Sequence, residues 1–411
     1  MKSIEKIDYL PIQKWFMQRS LTDRSRFNHS FLIRVNQPLD KKRVQDSLEK
    51  LCRLHGMLRA VFPAGGKCFL KESLSIEVKE LDIREKNEAE LFEELARWQS
   101  GFDLESGYLW QSGILRGYKD GSERLYLAAH HMIIDAASWS IIREDLQRLY
   151  DGEVTENRSG SYREWVDAVK SYTVTAADEE KAYWEESIHE QQQQKSLWKE
   201  LAEKDNSRLR HTRVEFSQEI VRKVVPQNHE ANHFDINEVL LSGLAYALHE
   251  VSGEKNNWIT LEKHGRDGIK RPVDVSRTIG WFTTLFPVCL TVGDSIGETL
   301  IGNRERLRAI PGKGTGYGAL YGYDNMPCIL FNYLEKLIGT DESNWQIRIE
   351  EASGESMSPD NRFDNIVDIN GLGREGKAGL WVESCLKEEN HQLLCEAFKR
   401  NVEAVAYYVH R

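Results

Sequence analysis

Residues 124–131 read Arg-Leu-Tyr-Leu-Ala-Ala-His-His, an apolar run closed by two histidines. Its length and composition fit a strand buried in a sheet. A helix fits 138–150, with Ile142, Leu146 and Tyr150 on one face and Glu144 and Asp145 near its start. Upstream, 39–57 has helical periodicity, with Val44, Leu48, Leu51 and Leu54 in one stripe, and extended runs fit 58–62 and 109–118. Downstream, strands fit 211–216, 258–261, 285–292, 328–331, 347–350, 366–369 and 379–383, and helices fit 237–249 and 388–410. Strands and helices alternate without the regular βαβ cadence of a doubly wound sheet, so the expected fold class is α/β, as two α/β (α+β) sandwich lobes. A polar helix pair over about 175–205 has few core residues and reads as the crossing, giving lobes of 1–175 and 176–411.

With 411 residues, 40% of them hydrophobic, the chain can fill two cores. The net charge of −10 argues against general nucleic-acid binding, which needs Lys and Arg on phosphates. Small molecules, or proteins docking on a local patch, are the expected partners. None of the six cysteines forms a CxxC pair, which points to buried free thiols in a reducing cytosol and to no metal site. The N-terminus lacks an apolar signal core, and no run of about 18 apolar residues occurs, so a soluble cytoplasmic protein with no membrane contact is expected.

Four segments carry polar groups where chemistry can use them. His130-His131-Met132-Ile133-Ile134-Asp135 ends the apolar strand, exposing one imidazole while the aspartate holds the turn. A histidine at a strand end is also an ordinary structural feature; the doubled His and the Ser138-Trp139 helix start favour a catalytic one. Glu262-Lys263-His264-Gly265-Arg266-Asp267 gathers a carboxylate and a guanidinium at another strand end. Phe331-Asn332-Tyr333-Leu334 ends a third strand with an amide and a phenol. The glycine-dense Pro311–Gly318 fails both P-loop and GxGxxG spacing and reads as a loop in close approach to a ligand or another backbone. Gly293-Asp294-Ser295 mimics a phosphopantetheine attachment sequence, but its simplest reading is a cap on the helix beginning near Ser295.

In order along the chain, these segments resemble the epimerization domains of nonribosomal peptide synthetases, relatives of condensation domains and chloramphenicol acetyltransferase-like acyltransferases. PIQKWF at 11–16 is similar to the family's opening, and HHMIIDAASW at 130–139 to its HHxxxDxxSW. LEKHGR at 261–266, RTIGWFT at 277–283, PGKGTGYG at 311–318 and FNYL at 331–334 follow. Condensation domains share the histidine motif but typically lack the last three. Ala136 stands where glycine is usual, Lys263 where glycine is frequent, Asp267 where glutamate is common and Glu335 where glycine is usual.

The resemblance implies two acetyltransferase-like lobes in a V with a tunnel between them. It also implies an aminoacyl or peptidyl thioester presented on the 4'-phosphopantetheine arm of a peptidyl carrier protein, with neighbouring synthetase domains as further partners and no intrinsic cofactor. Inverting the α-carbon needs a base on one face, an acid on the other and a stabilised enolate between them. His131, with an ordinary pKa near ~6.5, is the first candidate and Glu262 the second. Asp135 positions the histidine loop, with Arg266 as its best partner and Arg277 next. Asn332 and Tyr333 are candidates to orient the thioester or donate to the enolate. Asp145 matters to the site by the same resemblance, and His130 is expected to be structural. The alternatives are a condensing acyltransferase, which has no need of Glu262 or the late motifs, and a non-catalytic carrier-docking domain.

Overall fold

The computed structural model describes residues 6–154, 159–204, 209–224, 234–269, 273–334, 344–348, 350–374 and 377–410. In chain order its first elements are β1 (Lys6–Asp8), α1 (Pro11–Gln18), β2 (Asn28–Val35), α2 (Lys41–Leu54), β3 (Ala60–Val61), β4 (Lys67–Leu70), β5 (Val78–Asp82), α3 (Glu88–Trp98), β6 (Trp110–Arg116), β7 (Glu123–His130), α4 (Ala136–Tyr150) and α5 (Tyr162–Thr175). Then come α6 (Asp178–Leu201), β8 (Arg210–Glu215), α7 (Gln218–Val224), α8 (Ile236–Ser252), β9 (Asn256–Lys263), β10 (Thr284–Thr291), α9 (Ile296–Ala309), α10 (Tyr317–Tyr321), β11 (Ile329–Leu334), β12 (Trp345–Arg348), β13 (Val367–Arg374), β14 (Lys377–Ser384) and α11 (Glu388–Val409).

Two units result. The first comprises Met1–Ser171, Lys270–Phe282 and Ile338–Arg362; the second comprises Tyr172–Ile269, Thr283–Leu337 and Phe363–Arg411. The division is therefore not the single cut at 175 expected from sequence. Two later segments belong to the first unit because Arg277, Gly280 and Phe282 bond to α4 and its cap, and because β12 pairs with β2.

In the first unit the apolar run at 124–131 becomes β7, the middle strand of a five-stranded sheet ordered β12-β2-β7-β6-β5. Arg124 through His130 are all buried, as a strand covered on both faces requires. On one face α3 contributes Leu95 and Trp98 to a cluster with Leu32, Leu115 and Tyr126. Gly113 of β6 leaves room for Trp98, whose ring lies 2.2 Å from where a Cβ would stand. The stripe of α2 is buried at Val44, Leu48 and Leu51, and α2 packs on α4. Removing a core leucine such as Leu48 costs about 2–5 kcal/mol. The helix ends at Leu54 rather than 57, giving way to a tight turn over Gly56–Arg59. At the sheet edge, Ile347 of β12 pairs with Ile33 of β2. Just beyond, Glu351 takes a two-pronged hydrogen bond from the buried Arg124 at 2.7 and 2.8 Å.

The second unit holds a six-stranded sheet ordered β10-β9-β11-β13-β14-β8, with β11 parallel to both neighbours and the other pairs antiparallel. Leu261, Phe331, Ile369 and Val382 stand in register across it, each no more than 1% exposed. Helices α8 and α11 pack closely, with Gly243 of α8 against Val402, 2.4 Å from an ideal Cβ. Ser295 caps α9 by accepting from the Glu298 amide, as its position before the helix predicts. Among the described residues no helix is long and apolar enough to cross a membrane.

Candidate active site

The turn after β7 treats its two histidines differently. His130 is fully buried; its Nδ1 accepts from the Met132 amide at 3.1 Å and its Nε2 donates to the Arg24 carbonyl at 2.7 Å. Both nitrogens are held by backbone, and burial pushes the imidazole down to about 4. His131 opens the turn His131–Ile133, its amide donating to the Phe27 carbonyl at 2.8 Å. Its ring is hemmed in by Phe27, stacked at 5.1 Å, by His29 at 4.0 Å and by Trp281 at 4.4 Å between centroids. Burial among these rings pulls His131 down to about 4, against the nearby backbone of His131 and Ile134 and the Asp135 carboxylate, which favour the charged form. At neutral pH the ring is the free base. Nδ1 is buried with no hydrogen-bond partner among the described residues.

His29 was not singled out in the sequence. It sits on β2, beside β7 in the sheet, and its Nδ1 accepts from the Trp139 indole at 3.4 Å. Burial, and then the charge His131 can carry, hold its pKa well below the usual value. The available signal was the run Phe31-Leu32-Ile33 just after it, which marks a strand beside the histidine.

Asp135 is the N-cap of α4. One oxygen accepts from the Ser138 amide at 2.9 Å and the Ser138 hydroxyl at 2.7 Å; the other accepts from the Phe282 amide at 3.3 Å. Such a cap contributes about 1 kcal/mol and fixes where the turn carrying His131 ends. Ala136 is the first residue of α4 and has a negative φ, so this position does not require glycine.

Residues 277–282 form a strap along α4. Arg277 reaches Asp145 at 2.5 Å and Glu144 at 2.8 Å, Gly280 donates its amide to Ser138 Oγ at 3.2 Å, and the Trp281 carbonyl accepts from Tyr162 at 2.9 Å. Arg277, second choice as partner for Asp135, is thus engaged nearly three turns further along the helix. Asp145 also meets His55 Nε2 at 2.8 Å. Burial alone would raise the Asp145 carboxyl; the His55 hydrogen bond and the Arg277 charge outweigh it and hold the carboxyl below its usual range.

In the second unit Glu262 sits near the end of β9, half-buried and paired in register with Leu285 of β10. Lys263 follows it on the strand and points to the opposite face. The buried Tyr323 meets Thr284 Oγ1 and the Leu285 amide, each at 3.3 Å, and burial followed by the charge of Glu262 raises its pKa. Tyr323 was also missed in the sequence, where no local pattern sets it apart. The glycine-dense segment supports it, since a Cβ on Gly318 would stand 2.2 Å from the Tyr323 hydroxyl. The same segment approaches another backbone: a Cβ on Gly268 would lie 1.9 Å from the Gly312 carbonyl oxygen, and Lys313 bonds Asp267 at 2.7 Å. Arg266, half-buried, donates its amide to His264 Nδ1 at 3.1 Å.

Asn332 and Tyr333 do not share a face. Asn332 pairs with Asn370 on the side away from the buried Phe331, whereas Tyr333 lies on the Phe331 side and is 8% exposed. Adjacent strand residues alternate, so one site on this sheet receives one of the two. Glu262 alternates with the buried Leu261 and therefore lies on the Asn332 side. Glu335 lies outside the described residues. His131, Asp135 and Asp145 thus belong to the first unit, and Glu262, Arg266, Asn332 and Tyr333 to the second.

The family model described as "Condensation domain" matches residues 4–366. The chain belongs to the condensation-domain family. This condensation-family domain is 33% identical over 399 residues to N-(5-amino-5-carboxypentanoyl)-L-cysteinyl-D-valine synthase of Amycolatopsis lactamdurans, covering 95% of the chain and 11% of that protein. It is 30% identical over 398 residues to surfactin synthase subunit 1 of Bacillus subtilis (strain 168), covering 89% of the chain and 11% of that protein. The condensation-family domain thus spans about a tenth of these curated relatives. Among solved structures it superposes on the epimerization domain from the third module of tyrocidine synthetase B with a TM-score of 0.83 at 23% identity, covering 99% and 97% of the two chains. For the condensation domain from the Monacolin K polyketide synthase the TM-score is 0.78 at 14% identity, with 98% of each chain covered. The fold is the chloramphenicol acetyltransferase-like α/β architecture of condensation and epimerization domains.

Proposed function

We propose that this domain inverts the α-carbon of an aminoacyl or peptidyl thioester held on the phosphopantetheine arm of a peptidyl carrier protein. The observation that supports this most is the neutral His131, a base hemmed in by Phe27, His29 and Trp281. His131 takes the α-proton; the C–H electron pair moves into the thioester as an enolate; Glu262, in its acid form, returns a proton to the opposite face. One turnover leaves His131 protonated and Glu262 ionised, and exchange with solvent, or the reverse reaction, resets both. Asp135, with Arg266 as its proposed partner, positions the His131 turn. Asn332, on the Glu262 side of its sheet, orients the thioester. The chemistry calls for no intrinsic cofactor.

Loading L-aminoacyl and peptidyl groups on a phosphopantetheinylated carrier and adding the domain in deuterated water tests this. Deuterium uptake with L-to-D conversion is expected, lost in His131→Ala and sharply reduced in Glu262→Gln. The match to the condensation-domain family model favours a second reading, acyl transfer from the thioester to an amine. Amide formation with an acceptor-loaded carrier, and no deuterium uptake, would decide for it.

A further inference from the structure

Trp281 is 3% exposed, and its Nε1–H has no hydrogen-bond partner among the described residues. Around the indole stand the rings of His131 at 4.4 Å, Phe27 at 5.9 Å and Phe16 at 6.0 Å. A buried donor without an acceptor costs about 1–3 kcal/mol, which a phenyl ring of similar shape would avoid. The chain nevertheless holds this donor firmly. Its own carbonyl is fixed by Tyr162, and the residues on either side by Ser138 and Asp135. Ser138 and Asp135 also set the turn that carries His131, so one small network places base and indole together.

The proposed reaction has one requirement that His131 cannot meet. When the α C–H bond breaks and its electron pair moves into the thioester, negative charge collects on the carbonyl oxygen. A neutral donor in a water-poor site stabilises that charge without supplying the proton that ends the step. We propose that Trp281 is a catalytic residue whose indole N–H donates to the thioester carbonyl oxygen while His131 holds the α-proton. This rests on a carrier-bound thioester as the substrate and adds an oxyanion donor in the first unit. The proton removed stays on His131, the electron pair held on the carbonyl oxygen returns to the α-carbon as Glu262 protonates its other face, and the indole keeps its proton throughout.

Trp281→Phe keeps a ring and removes the N–H. Substituting benzothienylalanine at the same position keeps the bicycle and replaces N–H by sulfur, in case phenylalanine repacks the cage. For both we expect the kcat of α-hydrogen exchange to fall by about 100-fold with KM within threefold. Separately, the ¹⁵N-indole resonance of Trp281 in the intact domain should move downfield with an aminoacyl-pantetheine amide and stay in place with the thioether that lacks the carbonyl. Both variants exchanging within threefold of the parent would overturn the proposal. So would a rate loss accompanied by a shifted His131 titration, since the indole would then act on the imidazole. If the parent exchanges no substrate but the indole resonance responds to the carbonyl, epimerization fails and the carbonyl contact stands. An active parent whose indole ignores the carbonyl leaves epimerization intact and removes this contact.

Discussion

Arg277 and Asp145 stand 132 residues apart in sequence and 2.5 Å apart in space, Nη2 to Oδ1. The second Asp145 oxygen receives His55 at 2.8 Å, so a carboxylate on α4 binds both an α2-terminal histidine and the strap that carries Trp281. Losing one partner of a buried pair is costly because the other is left desolvated.

Arg277→Lys keeps the charge and loses the fork that spans Asp145 and Glu144. The expected outcome is a loss of about tenfold or more in α-hydrogen exchange with little loss of stability, because the Arg277 side chain is 42% exposed. Combined with Asp145→Asn in a double-mutant cycle, the effects should fall short of additive by roughly 0.5–3 kcal/mol. Strict additivity would show that the contact does not position the strap.

Gly280 has no room for a methyl group, since a Cβ there would lie 2.4 Å from Tyr162 Cδ2 and Cε2. Gly280→Ala should destabilise by about 1–3 kcal/mol and slow exchange, both readable by thermal melt and deuterium uptake. Combined with Tyr162→Ala, the two stability losses should fall short of additive because the clash is gone, while exchange stays low because the Trp281 carbonyl loses its donor. Recovery of the rate would mean that Tyr162 does not position Trp281.

For a base pulled down to about 4, the acid limb of exchange should fall as pH drops through that value. The sign follows from the form that reacts: the free imidazole dominates above the folded pKa and disappears below it. A limb with its midpoint near ~6.5, the unshifted value, would show that the cage leaves His131 unperturbed.

Stability should have its own acid limb, from His130. Its folded pKa of about 4 lies below the unfolded value of 6.5, so the unfolded chain takes up the extra proton first. Full stability is present above about 6.5 and erodes as pH falls toward 4, by about 2 kcal/mol at pH 5. Thermal melts at pH 7.5 and 5 should differ more for the parent than for His130→Gln. Equal differences would assign the limb to other groups.

What was legible in the sequence was local. The apolar run of β7, the stripe of α2 and the cap position of Asp135 each follow from neighbours within a few residues. His29 was missed because β2 opens with Asn28-His29-Ser30, polar residues ahead of the apolar run that identifies the strand. Arg277 was ranked only second as a partner for Asp135, and spacing does not show that a strap more than 130 residues away meets Asp145. Asn332 and Tyr333 were taken together although the period of a strand already separates neighbours.

The edge strand β12 carries a consequence for how the protein is made. Synthesis runs from the N-terminus, and a nascent chain made as far as residue 171 has neither the strand that covers β2 nor the strap that bonds α4. Ile33 and its neighbours on β2 therefore offer open hydrogen-bonding groups until residue 348 has emerged from the ribosome. The first half of the protein cannot finish before most of the second half exists, and a gene fragment cut at the apparent lobe boundary should yield an aggregating product rather than a small stable domain.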